Sequence, residues 1–148
     1  MLSKSCEYAI RALIYIMVNA AEDTKINIDV ISSAIGIPKY FTAKLLQSLS
    51  KQRIISSAKG PNGGFFIEPG AAEIPLSRVV EAIDGMGIFT GCVLGLSDCS
   101  EEHPCPLHHQ YKGIRAQIIA MLEGQNIRQL AARMEDGQSF IKNKNYLR

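Results

Sequence analysis

Several things this sequence lacks narrow its role before anything it contains. Its main apolar run, residues 12–21, is broken by Asn19 and follows Lys4, Glu7 and Arg11, so it is too short and too interrupted for a membrane span or an export signal. The chain is therefore expected in the cytoplasm, where thiols stay reduced. Its four cysteines read as free thiols or metal ligands rather than as a disulfide framework. Catalytic signatures are missing as well. No Gly-Lys-Ser/Thr follows the glycines at 60–64, which excludes a nucleotide-binding phosphate loop. The Pro104-Cys105-Pro106-Leu107-His108 run only faintly echoes a zinc deaminase, because no His-x-Glu lies upstream and the second cysteine is absent. No paired acid/base carboxylates and no Ser-His-Asp set can be assembled, so the chain is not expected to be an enzyme. Internal repeats and low-complexity tracts are absent too.

One sign of charge is missing locally. Between Gly36 and Gly60 the chain carries Lys39, Lys44, Lys51, Arg53 and Lys59 and no acid. The net charge of +2 conceals this: residues 1–70 hold eight Lys/Arg against five Asp/Glu, and residues 71–148 hold eight against nine. A local cationic patch favours a polyanion and steers its approach, although many such stretches are simply solvated faces.

With 148 residues, 47% of them hydrophobic, the chain can build one compact domain, or a small domain with an appended dimerisation arm. Helical spacing of Ala9, Ile10, Leu13, Ile14, Ile16 and Met17 predicts a buried first helix over 3–21, with Ser3 or Ser5 as its cap. After a turn at 22–25, Ile28, Ile31 and Ile35 predict a short second helix that Gly36 ends in a left-handed conformation. Pro38 suits the first turn of a third helix. There Phe41, Leu45 and Leu49 form the apolar stripe, leaving Lys39, Tyr40, Thr42, Lys44, Gln47 and Lys51 to enter a DNA groove. Residues 54–58 and 64–68 predict two strands around Gly60-Pro61-Asn62-Gly63, with Asn-Gly as the hairpin signal. The product is a winged helix-turn-helix over 1–85, mainly α with a small β-hairpin wing.

A fourth helix over 75–84 carries Leu76, Val79, Val80 and Ile83 on one face and should pack on the first. The segment 86–105 is glycine-rich and aperiodic, and a loop of that length in a small protein is usually functional or disordered. A long helix from 106 to 123 presents Leu107, Tyr111, Ile114, Ile118, Met121 and Leu122, a stripe suited to helix–helix dimerisation, with packing inside one chain as the plain alternative. Residues 106–134 are thus read as the dimerisation helix plus a short terminal helix, and 135–148 as a polar tail that need not be ordered.

The loop holds the chemistry. Cys92, Cys99 and Cys105 are followed at once by His108 and His109, and thiolate sulfur with imidazole nitrogen suits iron-sulfur clusters and zinc. Cys105 is expected near a helix N-terminus, whose positive dipole end favours a thiolate and an anionic cluster.

Taken together these pieces resemble the IscR/NsrR family of bacterial winged-helix transcription regulators over nearly the whole chain. The matching runs are Tyr8-Ala9-Ile10-Arg11-Ala12-Leu13, the segment 37–49, Lys59-Gly60-Pro61-Asn62-Gly63-Gly64-Phe65, Val80-Glu81-Ala82-Ile83-Asp84-Gly85, and the three cysteines. The resemblance implies a homodimeric regulator, most simply a repressor, that reads a double-stranded DNA operator with two winged domains. It also implies an iron-sulfur cluster, of the 2Fe-2S or 4Fe-4S type, that tunes operator binding. By analogy the fourth ligand is His108, or Glu7 reaching in from the partner subunit, with Cys6, His103 and His109 behind. Zinc is the alternative occupant; a metal-free member sensing thiol state or a partner protein is another reading, and a cluster carrier without operator binding a third.

Three departures bear on the transfer. Ala43 stands where the family often has an acid, and Lys59 where it often has an arginine, so operator preference cannot be copied: lysine makes a point contact, whereas arginine forks onto a guanine or enters a narrow minor groove. The gap from Cys92 to Cys99 is one residue longer than common in cluster-binding relatives, which a loop absorbs at small entropic cost.

Overall fold

The computed structural model describes residues 1–21, 24–137 and 139–142. Helix α1 (Lys4–Val18) lies at the centre, packed against three later helices and the last one. Its inward face of Cys6, Ala9, Ala12, Leu13 and Ile16 is almost wholly buried. Ser3 is the cap, its hydroxyl accepting from Cys6 N at 3.0 Å. The same residue donates its backbone N–H to the Asp84 carboxylate at 2.9 Å, which places a negative charge at the positive end of α1.

Helix α2 (Ile28–Ile35) begins at Asn27, whose side chain accepts from Asp29 N, and ends at Gly36 with φ 72°. This left-handed stop turns the chain directly into α3 (Lys39–Lys51). The buried face of α3 is Thr42, Leu45, Leu46 and Leu49, rotated from the expected Phe41-Leu45-Leu49 stripe, and Phe41 lies only partly buried beside it.

Strands β1 (Ser56–Ala58) and β2 (Gly64–Phe66) pair antiparallel, with Ser56 opposite Phe66 and Ala58 opposite Gly64. They are shorter than expected because Ile54 and Ile55 are both buried in the core, which alternation along a strand does not permit. Ile26 adds a one-residue bridge to Phe65 on the other edge of β2, with reciprocal 2.9 Å hydrogen bonds. In the wing turn positive φ falls on Gly60 (102°) and Gly64 (151°), not on Asn62-Gly63. Gly63 is needed for closeness instead: a Cβ there would lie 2.2 Å from the Ala58 carbonyl oxygen.

A 3-10 turn (Ala71–Glu73) leads to α4 (Leu76–Asp84), which packs on α1 and α3. A one-turn helix, α5 (Gly87–Thr90), was not expected within the glycine-rich segment. Helix α6 (His108–Glu123) starts two residues later than expected and buries only Leu122. Helix α7 (Ile127–Glu135), capped reciprocally by Asn126 and Gln129, returns to pack on α1. Of the polar tail, 139–142 lie beside α1 and α2: Arg11 donates to the Ile141 carbonyl at 2.7 Å and Lys142 to the Ser33 carbonyl at 3.2 Å. Residues 143–148 lie outside the described residues.

Candidate metal centre and nucleic-acid interface

The segment between α5 and α6 folds back so that the Sγ atoms of Cys92, Cys99 and Cys105 all lie within 4.8 Å of one another. Cys92 and Cys105 sulfurs are 3.7 Å apart. Two clamps hold the fold-back. Arg115 of α6 donates to the Gly91 carbonyl at 2.7 Å, just before Cys92, and Lys112 of α6 meets the Glu101 carboxylate at 2.5 Å. Cys105 sits one turn ahead of α6, its carbonyl accepting from His108 N at 3.0 Å.

That spacing aims the His108 ring at the thiols. Its Nδ1 lies 3.2 Å from Cys99 Sγ and its Nε2 3.2 Å from Glu101 Oε1. Backbone N–H groups dominate the electrostatics. Those of Leu96 and Leu94 point at the Cys92 sulfur and lower its thiol pKa to about 7. The Cys105 N–H acts in the same direction on Cys99, but burial and the neighbouring sulfurs of Cys92 and Cys105 outweigh it and raise that thiol. Lys112 and then His108 hold the Glu101 carboxyl down at about 2.

Of the expected ligands, the structure brings Cys92, Cys99, Cys105 and His108 together. Glu7, expected to reach the site from the partner subunit, pairs within its own chain with Lys4 at 3.0 Å on α1 and lines a polar groove with Tyr8 and Arg11. Cys6 is remote in character, fully buried in the core, where desolvation pushes its thiol up to about 12. Sequence reasoning missed Glu101, Lys112 and Arg115. The i, i+4 relation of His108 to Lys112 on a helix was the available signal; nothing in the spacing announced Glu101.

Three soft sulfurs with one imidazole nitrogen are a donor set that fits an iron-sulfur cluster and also tetrahedral zinc. The site also has room, opening into a cavity lined by Thr90, Tyr111 and Arg115 beside the ligand residues.

A basic face is formed by α3 and the wing. Tyr40, Lys44, Gln47 and Lys51 are exposed on α3, with Lys59, Gly60, Pro61 and Asn62 exposed in the wing and Gly63 half-buried. Lys39 is exposed but shared with Asp29 at 2.8 Å. Thr42 departs from expectation: it is 1% exposed and its hydroxyl donates back to the Pro38 carbonyl at 3.1 Å, so it cannot enter a groove. It lies between Leu45 and Leu46 on the inward face, where a back-bonded hydroxyl is tolerated.

Three mutually packed helices, α1 to α3, followed by a two-stranded wing define a winged helix-turn-helix DNA-binding protein. Residues 2–133 match the Rrf2 family, described as iron-dependent transcriptional regulators, and the chain belongs to that family. It is 31% identical over 130 residues to a candidate HTH-type transcriptional regulator of Aquifex aeolicus (strain VF5), covering 86% of this chain and 89% of that one. It is 26% identical over 134 residues to the HTH-type transcriptional regulator IscR of Photorhabdus laumondii, covering 90% and 80%. Its fold matches the structure of CymR, the global cysteine regulator of B. subtilis, with TM-score 0.73 at 18% identity over 89% of this chain and 96% of that one. IscR of T. potens superposes with TM-score 0.70 at 15% identity, covering 95% and 92%. The family and its relatives are transcriptional regulators, not enzymes. No helix among the described residues is long and apolar enough to cross a membrane.

Proposed function

We propose that this chain is a homodimeric, sequence-specific repressor whose operator affinity is set by an iron-sulfur cluster held by Cys92, Cys99, Cys105 and His108. The observation that carries the reading is the convergence of three thiol sulfurs within 4.8 Å, with the His108 Nδ1 3.2 Å from one of them. The His108 ring is brought to the thiols within one chain, its Nδ1 beside Cys99, which supports it as the fourth ligand, with Glu7 reaching in from a partner subunit as the rival. When bound, the cluster supplies a centre that oxidants, iron supply or small ligands can alter. The protein's own residues do the rest. Backbone N–H groups of Leu96 and Leu94 favour negative charge on the Cys92 sulfur, and Arg115 lines the same cavity.

The DNA face consists of Lys39, Tyr40, Lys44, Gln47 and Lys51 on α3 in the major groove, with Lys59 and the 60–63 turn on the adjacent backbone or minor groove. A connected set of contacts links the two sites. Helix α6 packs on α4, and α4 packs on α3; Gln52, at the end of α3, donates to the Ala82 carbonyl of α4 at 2.8 Å. To act as a switch the metal site must favour one pose of this linkage, and a coupling of ~1 to 3 kcal/mol changes operator affinity about 5- to 150-fold.

Protein purified without oxygen tests the site. Wild type should carry visible cluster absorbance with iron and sulfide on analysis, and Cys99→Ala should be colourless. A colourless wild type with stoichiometric zinc transfers the same ligands to zinc; absence of both metals removes the site.

A further inference from the structure

Glu101 stands outside the sulfur set yet binds its only imidazole. One carboxylate oxygen, Oε1, lies 3.2 Å from His108 Nε2 and accepts from Lys112 Nζ at 2.5 Å. The His108 side chain is 11% exposed, whereas Glu101 is 58% exposed, so the carboxylate covers the solvent side of the ring while the thiols occupy the other. Its partner Lys112 is itself on α6, one turn beyond His108. The loop acid is therefore tied to the helix that carries the imidazole.

We propose that Glu101 is a positioning residue that fixes the tautomer and the direction of His108. Imidazole has two nitrogens, and a metal takes a lone pair from the one without a proton. A proton on Nε2, donated to Glu101, leaves the lone pair on Nδ1, and Nδ1 is the nitrogen that faces Cys99. In the opposite tautomer Nδ1–H would point into the sulfur set and the lone pair would face a carboxylate. The Glu101 oxygen disfavours that arrangement by repulsion. Carboxylate support of a ligating histidine also raises its basicity, and losing such a partner typically weakens metal binding about 10- to 100-fold. Lys112 anchors the carboxylate so that it does not swing into solvent. The inference rests on His108 being a ligand, as proposed above.

The first test needs no metal. Nitrogen-15 NMR of the reduced, metal-free protein in mildly alkaline buffer reports which ring nitrogen of His108 is protonated. Wild type should show the Nε2–H form, Glu101→Ala should lose that preference, and Glu101→Gln, which keeps an acceptor oxygen, should recover much of it. The second test uses zinc alone against a competing chelator. Glu101→Ala should bind about 10- to 100-fold more weakly, His108→Ala more weakly still because it removes the ligand itself, and the double variant no more weakly than His108→Ala, because Glu101 acts through that ring. An Nδ1–H tautomer in wild type, or Glu101→Ala binding zinc as tightly as wild type, overturns the assignment. Failure of anaerobic wild type to hold a cluster defeats the iron-sulfur reading while leaving both tests of Glu101 decisive.

Discussion

Cys6 and Cys105 show how little residue type alone fixes a thiol's role. Both are buried, but Cys6 sits in the hydrophobic core on the inward face of α1, whereas Cys105 is one of three sulfurs within 4.8 Å. Burial holds the Cys6 thiol up at about 12, so its reactive thiolate is scarce at neutral pH. In folded metal-free protein, alkylation followed by mass spectrometry should modify Cys92 and Cys99 while sparing Cys6, which should react only in denaturant. Early labelling of Cys6 would contradict its packing. At the DNA face, Lys44→Ala and Lys59→Ala should each weaken operator binding and lower the salt slope by about 1 if each contacts a phosphate; unchanged affinity in both would remove this surface. The grouping of Cys92, Cys99 and Cys105 was legible because soft ligands in a loop have few other uses, whereas His108 entered only by analogy and alongside Glu7. The sequence left Thr42 misplaced, since an amphipathic stripe defines a face only to within a residue or so, and the hydroxyl's bond to the Pro38 carbonyl is invisible in a pattern.

At the scale of elements, the end of α3 carries local strain. Arg53 has φ 60°, the left-handed position that glycine usually fills after a helix, and Ile54 N closes the motif onto the Leu49 carbonyl at 3.0 Å. A side chain there costs roughly 1–2 kcal/mol, partly offset by glycine's greater freedom when unfolded. Arg53→Gly should therefore raise stability by up to about 1 kcal/mol in a denaturant titration; a loss would mean that Arg53 makes a contact that matters more. Gly63 works in the other direction. Its hydrogen faces the Ala58 carbonyl so closely that Gly63→Ala must open the wing turn, costing roughly 1–3 kcal/mol as overpacking does, and weakening DNA binding with it. Helices α1, α2, α4 and α7 were readable from period and caps. The strands were overextended because Ile54 and Ile55 look like strand residues by composition, yet they fill the core. Helix α5 was unreadable, because four residues are too few for a period to emerge.

For the whole molecule, α6 is the feature one chain leaves unfinished. Tyr111 and Ile118 are half-buried, while Ile114 and Met121 are 54% and 55% exposed on the same helix. On the proposed homodimeric reading, a stripe of this kind fits a second copy of the chain. Ile114→Glu with Met121→Glu should shift the protein to monomer in sedimentation and weaken operator binding, with little change in the monomer's unfolding because neither side chain is in its core. A persistent dimer would place the interface elsewhere. Helix α6 contacts α4 and α4 contacts α3, and neither contact was visible as a motif, since helix-on-helix contact depends on three-dimensional arrangement rather than spacing.

Operator affinity of one anaerobic preparation, measured before and after the cluster is removed and again with Cys92, Cys99 and Cys105 all replaced by alanine, tests metal-linked DNA binding most directly. Sensing predicts a change of about 5- to 150-fold between loaded and stripped protein, with the triple variant fixed at the stripped value. Equal affinity in all three would contradict it.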